Sequence, residues 1–166
     1  VFSQPYFEPA GIIIAEADGR PIGFVHAGFG PNADETALAR TTGTICMVMV
    51  EPAYRRQGIG RELVRRAEEY LSAAGATTLL AGPAQPNDPY YFGLYGGCQP
   101  AGCLASDVDA EPFFLALGYR PSIQRLIFQR QLVKHAGPTG VRLMGIRRST
   151  KLVEAPDDTT WWWATR

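Results

Sequence analysis

The chain has 166 residues, of which 46% are hydrophobic and 19% charged, and its 16 basic residues balance its 16 acidic residues. This composition excludes a wholly disordered chain and predicts a domain large enough to enclose a hydrophobic core. A net charge of zero provides no overall field that would attract nucleic acid or an acidic membrane.

The three cysteines, Cys46, Cys98 and Cys103, do not have the number or spacing of a disulfide framework. Cys98 and Cys103 lack a second Cys/His pair, so the sequence predicts no metal site. No signal peptide and no bilayer-length apolar run is visible, which favours a cytoplasmic protein with reduced thiols and no membrane partner. Because the first residues resemble mid-domain sequence, we expect the chain to be part of a longer protein.

Two apolar segments, residues 11–16 and 22–29, flank the turn dipeptide Asp18-Gly19 and predict an antiparallel hairpin. The polar residues 30–40 predict a loop. Residues 41–50 form a nearly continuous apolar run, which predicts a central strand covered on both faces.

A helix is predicted from the glycine pair Gly58 and Gly60 to about Ala74. Its apolar residues recur every four positions, at Ile59, Leu63, Ala67 and Leu71. This spacing forms one stripe that can face a core, and Gly75 is a natural helix end. Residues 77–81 then predict a short strand.

The remainder of the chain is less regular. Residues 82–106 are rich in glycine, proline and aromatics, and so long a connection usually has a function. Residues 107–117 predict a helix and residues 124–132 a final strand. Residues 133–166 read as a linker and extension that ends in three adjacent tryptophans.

The junction between the central strand and the first helix has the features of an anion site. The first turn of a helix presents unpaired N–H groups, and the helix dipole adds partial positive charge. Gly58 and Gly60 let a phosphate approach the backbone, and Arg55, Arg56 and Arg61 add positive charge. We therefore expect this junction to bind the pyrophosphate of a nucleotide-like cofactor.

Two other phosphate motifs fit less well. No Gly-Lys-Ser/Thr follows a spaced glycine, which excludes a Walker loop. The segment Gly28-Phe29-Gly30 follows a strand, with Glu51 at a distance suited to a ribose contact in a dinucleotide fold. Pro31 and the preceding hairpin count against that alternative.

The motif Arg55-x-x-Gly58-x-Gly60 resembles the acyl-CoA-binding signature of the GNAT superfamily of N-acyltransferases. The later motif Ala110-x-x-Phe113-Phe114-x-x-x-Gly118-Tyr119 resembles the Ala-x-x-Phe-Tyr-x-x-x-Gly-Phe helix of the same family. The resemblance runs from about residue 11 to residue 132. It identifies residues 1–132 as a GNAT-like domain without its opening strand and helices, and residues 133–166 as an extension or the start of a second module.

The resemblance implies an α/β (α+β) fold, in which helices flank a mixed, splayed β-sheet, with acetyl-CoA as cofactor. The strand ending at Val50 is expected to bulge, and its backbone at Val48, Met49 and Val50 to pair with the pantetheine arm. Other residues implied in cofactor binding are Arg55, Arg56, Gln57, Gly58, Ile59, Gly60, Arg61, Asp107 and Phe114. The thioester would lie near Met49.

Two residues depart from the family pattern. Phe114 stands where the family usually has a tyrosine that can protonate the leaving thiolate, and phenylalanine cannot donate a proton. Asp107 stands where the family often has asparagine, which would bring a negative charge close to an anionic ligand.

We therefore expect an N-acyltransferase in which a small-molecule or peptide amine attacks the thioester directly. Tyr95, Tyr91 and Glu51 are the candidate catalytic groups for the proton steps. The alternative is a non-catalytic CoA-binding or structural domain of a tandem protein. A homodimer or a tandem domain is the expected assembly. A nucleic-acid role of the basic tail (Arg142, Arg147, Arg148 and Lys151) is disfavoured by the acidic residues nearby.

Overall fold

The structure is a computed structural model that describes residues 6–84, 87–91, 102–122, 124 and 149–151. Residues 1–122 with 160–166 form one unit, and residues 123–159 form another. The strands and helices described lie in the first unit. The predicted strand at 124–132 and the predicted boundary at residue 132 fall almost entirely outside the described residues and stay predictions.

Four strands form one mixed sheet in the order β1-β2-β3-β4. They are β1 (Ile12–Ala17), β2 (Arg20–Pro31), β3 (Leu38–Val50) and β4 (Thr78–Ala81). The first three strands pair antiparallel, and β4 pairs parallel to β3. Helix α1 (Ile59–Ala73) connects β3 to β4, and α2 (Ala110–Ala116) follows later in the chain. Short 3₁₀ turns precede β1 (Pro9–Gly11) and follow β3 (Pro52–Tyr54).

The predicted hairpin is confirmed, because Asp18 and Gly19 both adopt positive φ angles, of 52° and 74°, as a tight turn between twisted strands requires. The loop predicted at 30–40 is too long. Pro31 pairs with Leu38, and β2 and β3 run into the predicted loop from both ends. The Asn32 side chain closes the remaining connection by accepting the N–H groups of Thr36 (2.9 Å) and Ala37 (3.1 Å).

The core lies between one face of the sheet and α1. The four buried residues of α1 are Leu63, Val64, Ala67 and Leu71. They pack against Val25, Phe29 and Ile45 of the central strands, and Phe113, Phe114 and Leu117 of the α2 region extend the same cluster. Both helices are therefore held on one face of the sheet by ordinary apolar burial.

The central strand β3 carries an irregularity that determines its later course. His26 of β2 pairs with Met47, but the next residue, Ala27, pairs with Ile45, so Cys46 is an extra residue in β3. Such a bulge reverses which backbone groups face each neighbouring strand. Pairing with β4 ends at Ile45 opposite Ala81. The bulge implied for this strand is therefore present, and β3 continues alone beyond it.

Gly43 of β3 lies directly against Leu71 of α1. A Cβ atom at this position would lie 2.9 Å from Cδ1 and Cδ2 of Leu71 and 3.0 Å from the Cβ of Leu71. We expect Gly43→Ala to lower the free energy of unfolding by about 1–3 kcal/mol through overpacking. Urea denaturation would measure the change, with exposed Thr41→Ala as control. Equal stability of the two variants would contradict the tight contact.

Candidate cofactor cleft

A cleft of about 710 Å³ opens where β3 leaves β4. One wall is β3 from Ile45 to Val50, and the second is the segment between β3 and α1 with the first turn of that helix. The third wall comprises residues 102–104, Asp107, Asp109 and the cleft-facing side of α2. The cleft thus joins the two segments that carry the resemblance, which are far apart in the sequence.

The backbone edge of β3 faces this cleft. The N–H of Glu51 donates to the carbonyl of Ile22 beside β2 (2.8 Å). Because successive residues of a strand direct their backbone groups to opposite sides, Met49 and Met47 also face β2. Val48 and Val50 therefore direct theirs to the opposite edge, where no described strand pairs with them. This edge can accept an extended amide-containing chain as an added strand.

The segment after β3 is anchored to the strand it leaves. The Arg55 side chain donates from Nε to the carbonyl of Val50 (3.0 Å), and the Arg55 N–H donates to the carbonyl of Pro52 (3.3 Å). Arg56 then adopts a positive φ of 60°, which costs energy in a residue with a side chain. These contacts hold the backbone so that α1 begins beside the exposed edge of β3.

The first turn of α1 presents unused amides. Gly58 is the N-cap, with a φ of 85°, and the first helical hydrogen bond runs from the Glu62 N–H to the Gly58 carbonyl (3.0 Å). Within the described part of the chain, the amides of residues 56–61 donate to no carbonyl or side chain. A Cβ at Gly58 would meet nothing within 4 Å. The junction therefore has the open, donor-rich surface that an anion requires.

Gly60 lines the cleft and also contacts α2. A Cβ at this position would lie 3.2 Å from Cε2 of Phe113 and 3.7 Å from Cγ2 of Val50. Gly60 therefore lets α2 pack closely on the first turn of α1. The missing side chain at Gly60 makes room for the Phe113 ring, whereas the missing side chain at Gly58 leaves open space.

The arginines of this segment have protein partners. Asp109, just before α2, binds Arg56 Nη2 with Oδ1 (2.9 Å) and lies 3.9 Å from Arg55 Nη1. Among the described residues, Arg61 has no ion-pair partner and is exposed. The pairing of Asp109 with residues more than 50 positions earlier has no sequence signal and could not be predicted from the sequence.

Phe114 and Asp107 both line the cleft. The Phe114 ring is half-buried and packs edge-on against Phe113 and Tyr119, with centroid distances of 5.1 and 5.4 Å. The Tyr119 hydroxyl donates to Glu68 of α1 (2.7 Å), outside the set of residues that form the cleft. Asp107 accepts the N–H of Asp109 (3.2 Å) and so shapes the entry to α2.

The two described candidates for catalysis, Glu51 and Tyr91, lie away from the cleft. Glu51 forms an ion pair with Arg20 (2.6 Å) at the hairpin end of the sheet. The Tyr91 hydroxyl lies 2.9 Å from Nδ1 of His26. Neither residue lines the cleft, and Tyr95 lies outside the described residues. The alternative motif Gly28-Phe29-Gly30 lies within β2 and forms no phosphate loop.

A buried cluster of aromatic and polar residues covers the face of the sheet opposite α1. His26 is fully buried, its ring lies 4.3 Å from that of Tyr90, and its Nε2 has no hydrogen-bond partner among the described residues. Burial lowers the pKa of His26 to about 4, so the imidazole is neutral at physiological pH. The pKa of the buried Cys46 thiol is raised, so Cys46 is inert as a nucleophile.

A splayed mixed sheet, a bulged strand with a free edge and a donor-rich helix start define an acyl-CoA-binding type of α/β protein. The family model described as "Acetyltransferase (GNAT) family" matches residues 3–95. The chain belongs to this family, whose cosubstrate is acetyl-CoA.

Two curated relatives are named mycothiol acetyltransferase. The one from Cellulomonas flavigena is 32% identical over 80 residues, which are 47% of this chain and 23% of the relative. The one from Thermomonospora curvata is 30% identical over 87 residues, which are 52% of this chain and 27% of the relative. The chain therefore spans about a quarter of the length of these relatives.

The fold is similar to that of the aminoglycoside N-acetyltransferase AAC(6')-Iy solved in complex with CoA. The TM-score is 0.50 at 19% identity, over 74% of this chain and 75% of that one. Among the described residues, no helix is long and apolar enough to cross a bilayer, and no group of His, Cys, Asp and Glu side chains is arranged for a metal ion.

The neutral, buried state of His26 predicts a pH-dependent stability. Because its pKa is about 4 in the folded chain and about 6.5 when unfolded, the unfolded state binds more protons between these values. The free energy of unfolding should fall by up to about 3 kcal/mol as pH drops from 7 to 4.

Urea denaturation at several pH values would measure this slope, with His26→Gln as the comparison. The variant should lose the slope between pH 5 and pH 7, where carboxylates contribute little. An unchanged slope in His26→Gln would show that another group titrates.

Proposed function

We propose that this chain is an N-acetyltransferase that moves an acetyl group from acetyl-CoA to the amine of a small molecule or peptide. The observation that carries the proposal is the free edge of β3 at Val48 and Val50 next to the unused amides at the start of α1. One site thereby offers strand-like pairing for a pantetheine arm and N–H donors for a diphosphate.

The residues that would hold the cofactor divide by chemistry. The backbone of Val48 and the N–H of Val50 would pair with the arm, since the Val50 carbonyl already accepts Arg55 Nε. The Met49 backbone is turned to β2, and the residue is 54% exposed. The amides of Arg56, Gln57, Gly58, Ile59, Gly60 and Arg61 would bind phosphate. Arg55 and Arg56 would add charge, and Phe114 and Asp107 would border the bound molecule.

Bound acetyl-CoA supplies an activated thioester carbonyl. The protein's part is then to hold that carbonyl beside β3, where a backbone N–H can polarise it, and to orient the amine for direct attack. No covalent intermediate on the protein is required, in keeping with the inert Cys46 thiol.

Neither described candidate for the proton steps gains support from its surroundings. Burial raises the pKa of Tyr91 to about 12, which makes its hydroxyl a weaker proton donor than that of an ordinary tyrosine. The hydroxyl lies 2.9 Å from Nδ1 of His26, and Tyr91 does not line the cleft. Tyr95 stays a candidate donor. The ion pair of Glu51 with Arg20 ties that carboxylate to the hairpin and does not support a role as base.

Calorimetric titration with acetyl-CoA, followed by thiol release across a panel of amines, tests the proposal. Binding together with amine-dependent thiol release is expected. The second candidate, a CoA-binding domain without catalysis, is favoured by Phe114, which lines the cleft without a hydroxyl. Binding without turnover of any amine would select that candidate.

Gly58→Glu should lower the affinity for CoA at least about tenfold. The new carboxylate would lie in the open space where phosphate is expected, and repulsion would add to steric exclusion. Calorimetry with CoA would measure the loss.

Gly19→Glu is the matched control for Gly58→Glu. Gly19 has a comparable φ of 74° and open surroundings but lies in the β1–β2 turn, so both variants carry similar backbone strain and charge. Equal CoA affinity in the two variants would remove the anion site from this junction.

Phe114→Tyr should leave CoA affinity unchanged and increase thiol release severalfold, since it restores a hydroxyl at the border of the cleft. Phe114→Leu serves as a control without a hydroxyl. Equal rates in the wild type and both variants would mean that another group donates the proton or that the domain does not catalyse.

A further inference from the structure

Asp109 forms ion pairs with Arg55 and Arg56, the two arginines that the proposed function assigns to phosphate binding. Its carboxylate binds Arg56 Nη2 at 2.9 Å and lies 3.9 Å from Arg55 Nη1. All three residues line the cleft, but the arginines precede α1 whereas Asp109 precedes α2. The ion pair therefore connects two walls of one cleft.

We propose that Asp109 is an internal counter-ion that occupies the phosphate-binding arginines and must be displaced when an anion binds. This inference rests on the proposed function and identifies a residue that sets cofactor affinity. In the absence of an anion, Asp109 offsets part of the positive charge of Arg55 and Arg56. A bound diphosphate takes over the arginines and releases Asp109.

The exposure of the pair makes this exchange feasible. The side chains of Arg56 and Asp109 are 87% and 55% exposed, and ion pairs in such settings contribute about 0–1 kcal/mol. A diphosphate offers more charge and more acceptor oxygens than one carboxylate, and it also reaches the unused amides of α1. The carboxylate can therefore compete with the anion without excluding it.

The two arginines respond differently. Arg55 is anchored by the hydrogen bond from its Nε to the Val50 carbonyl (3.0 Å), and its distance to Asp109 is longer. Arg56 has no other side-chain partner among the described residues. Arg56 is accordingly the side chain that exchanges Asp109 for phosphate.

The fold does not need the Asp109 carboxylate. Asp109 occupies the N-cap position of α2 but makes no side-chain cap hydrogen bond, and its own N–H is held by Asp107. Asp109→Asn removes the charge with little change of shape. Glu111→Gln is the matched control, because Glu111 is an exposed carboxylate in the first turn of α2 that does not line the cleft.

Calorimetric titration of the wild type and both variants with CoA, and separately with inorganic pyrophosphate, tests the inference. Asp109→Asn should bind both anions about fivefold more tightly than the wild type, while Glu111→Gln should change affinity by less than about twofold. The gain should shrink at high salt, since exposed charges are screened.

An Arg56→Gln background separates a counter-ion from simple repulsion. If Asp109 acts by occupying Arg56, the gain from Asp109→Asn should largely vanish in that background. The proposal would be overturned if Asp109→Asn binds pyrophosphate no more tightly than Glu111→Gln does. It would also be overturned if the gain in pyrophosphate affinity persists in the Arg56→Gln background. Pyrophosphate binding without CoA binding would refute the proposed function alone. The counter-ion role of Asp109 would then still be tested by the pyrophosphate affinities of the variants.

Discussion

The extra residue in β3 at Cys46 is the constraint on which the cleft depends. Without it, the alternation of β3 would continue and Val48 and Val50 would turn their backbone groups toward β2. With it, those groups face the edge that β4 has left, since pairing ends at Ile45. The Arg55–Val50 hydrogen bond then brings the start of α1 next to the same edge. A one-residue insertion thus places two kinds of backbone donor side by side.

The cleft has hydrogen-bond donors and positive charges that an anion can reach. The amides of residues 56–61 are unused within the described chain, and Arg61 is exposed. The charge that is committed, at Arg55 and Arg56, faces a single carboxylate in an exposed setting. The other face of the sheet is different, because His26 there is buried and neutral.

Much of the fold was predictable, because local chemistry determines it. The Asp18-Gly19 turn and the four-residue spacing of α1 specify their elements almost alone. The loop after β2 is shorter than its polar composition predicts, because backbone pairing continues to Pro31 and Leu38 and the Asn32 side chain closes the short connection between them. Of the site, the glycine signature predicted the free amides, whereas the role of Gly60 and the partner of Arg56 depend on α2, which lies about 50 residues later. Contacts between distant segments have no local signal.

The contact between Gly60 and Phe113 has a consequence for how this cleft can evolve. Because a single added carbon at position 60 would press on the Phe113 ring, the two helices are interlocked at the point where they border the cleft. A larger residue at position 60 would therefore require a smaller one at position 113 if α2 is to keep its place against the first turn of α1.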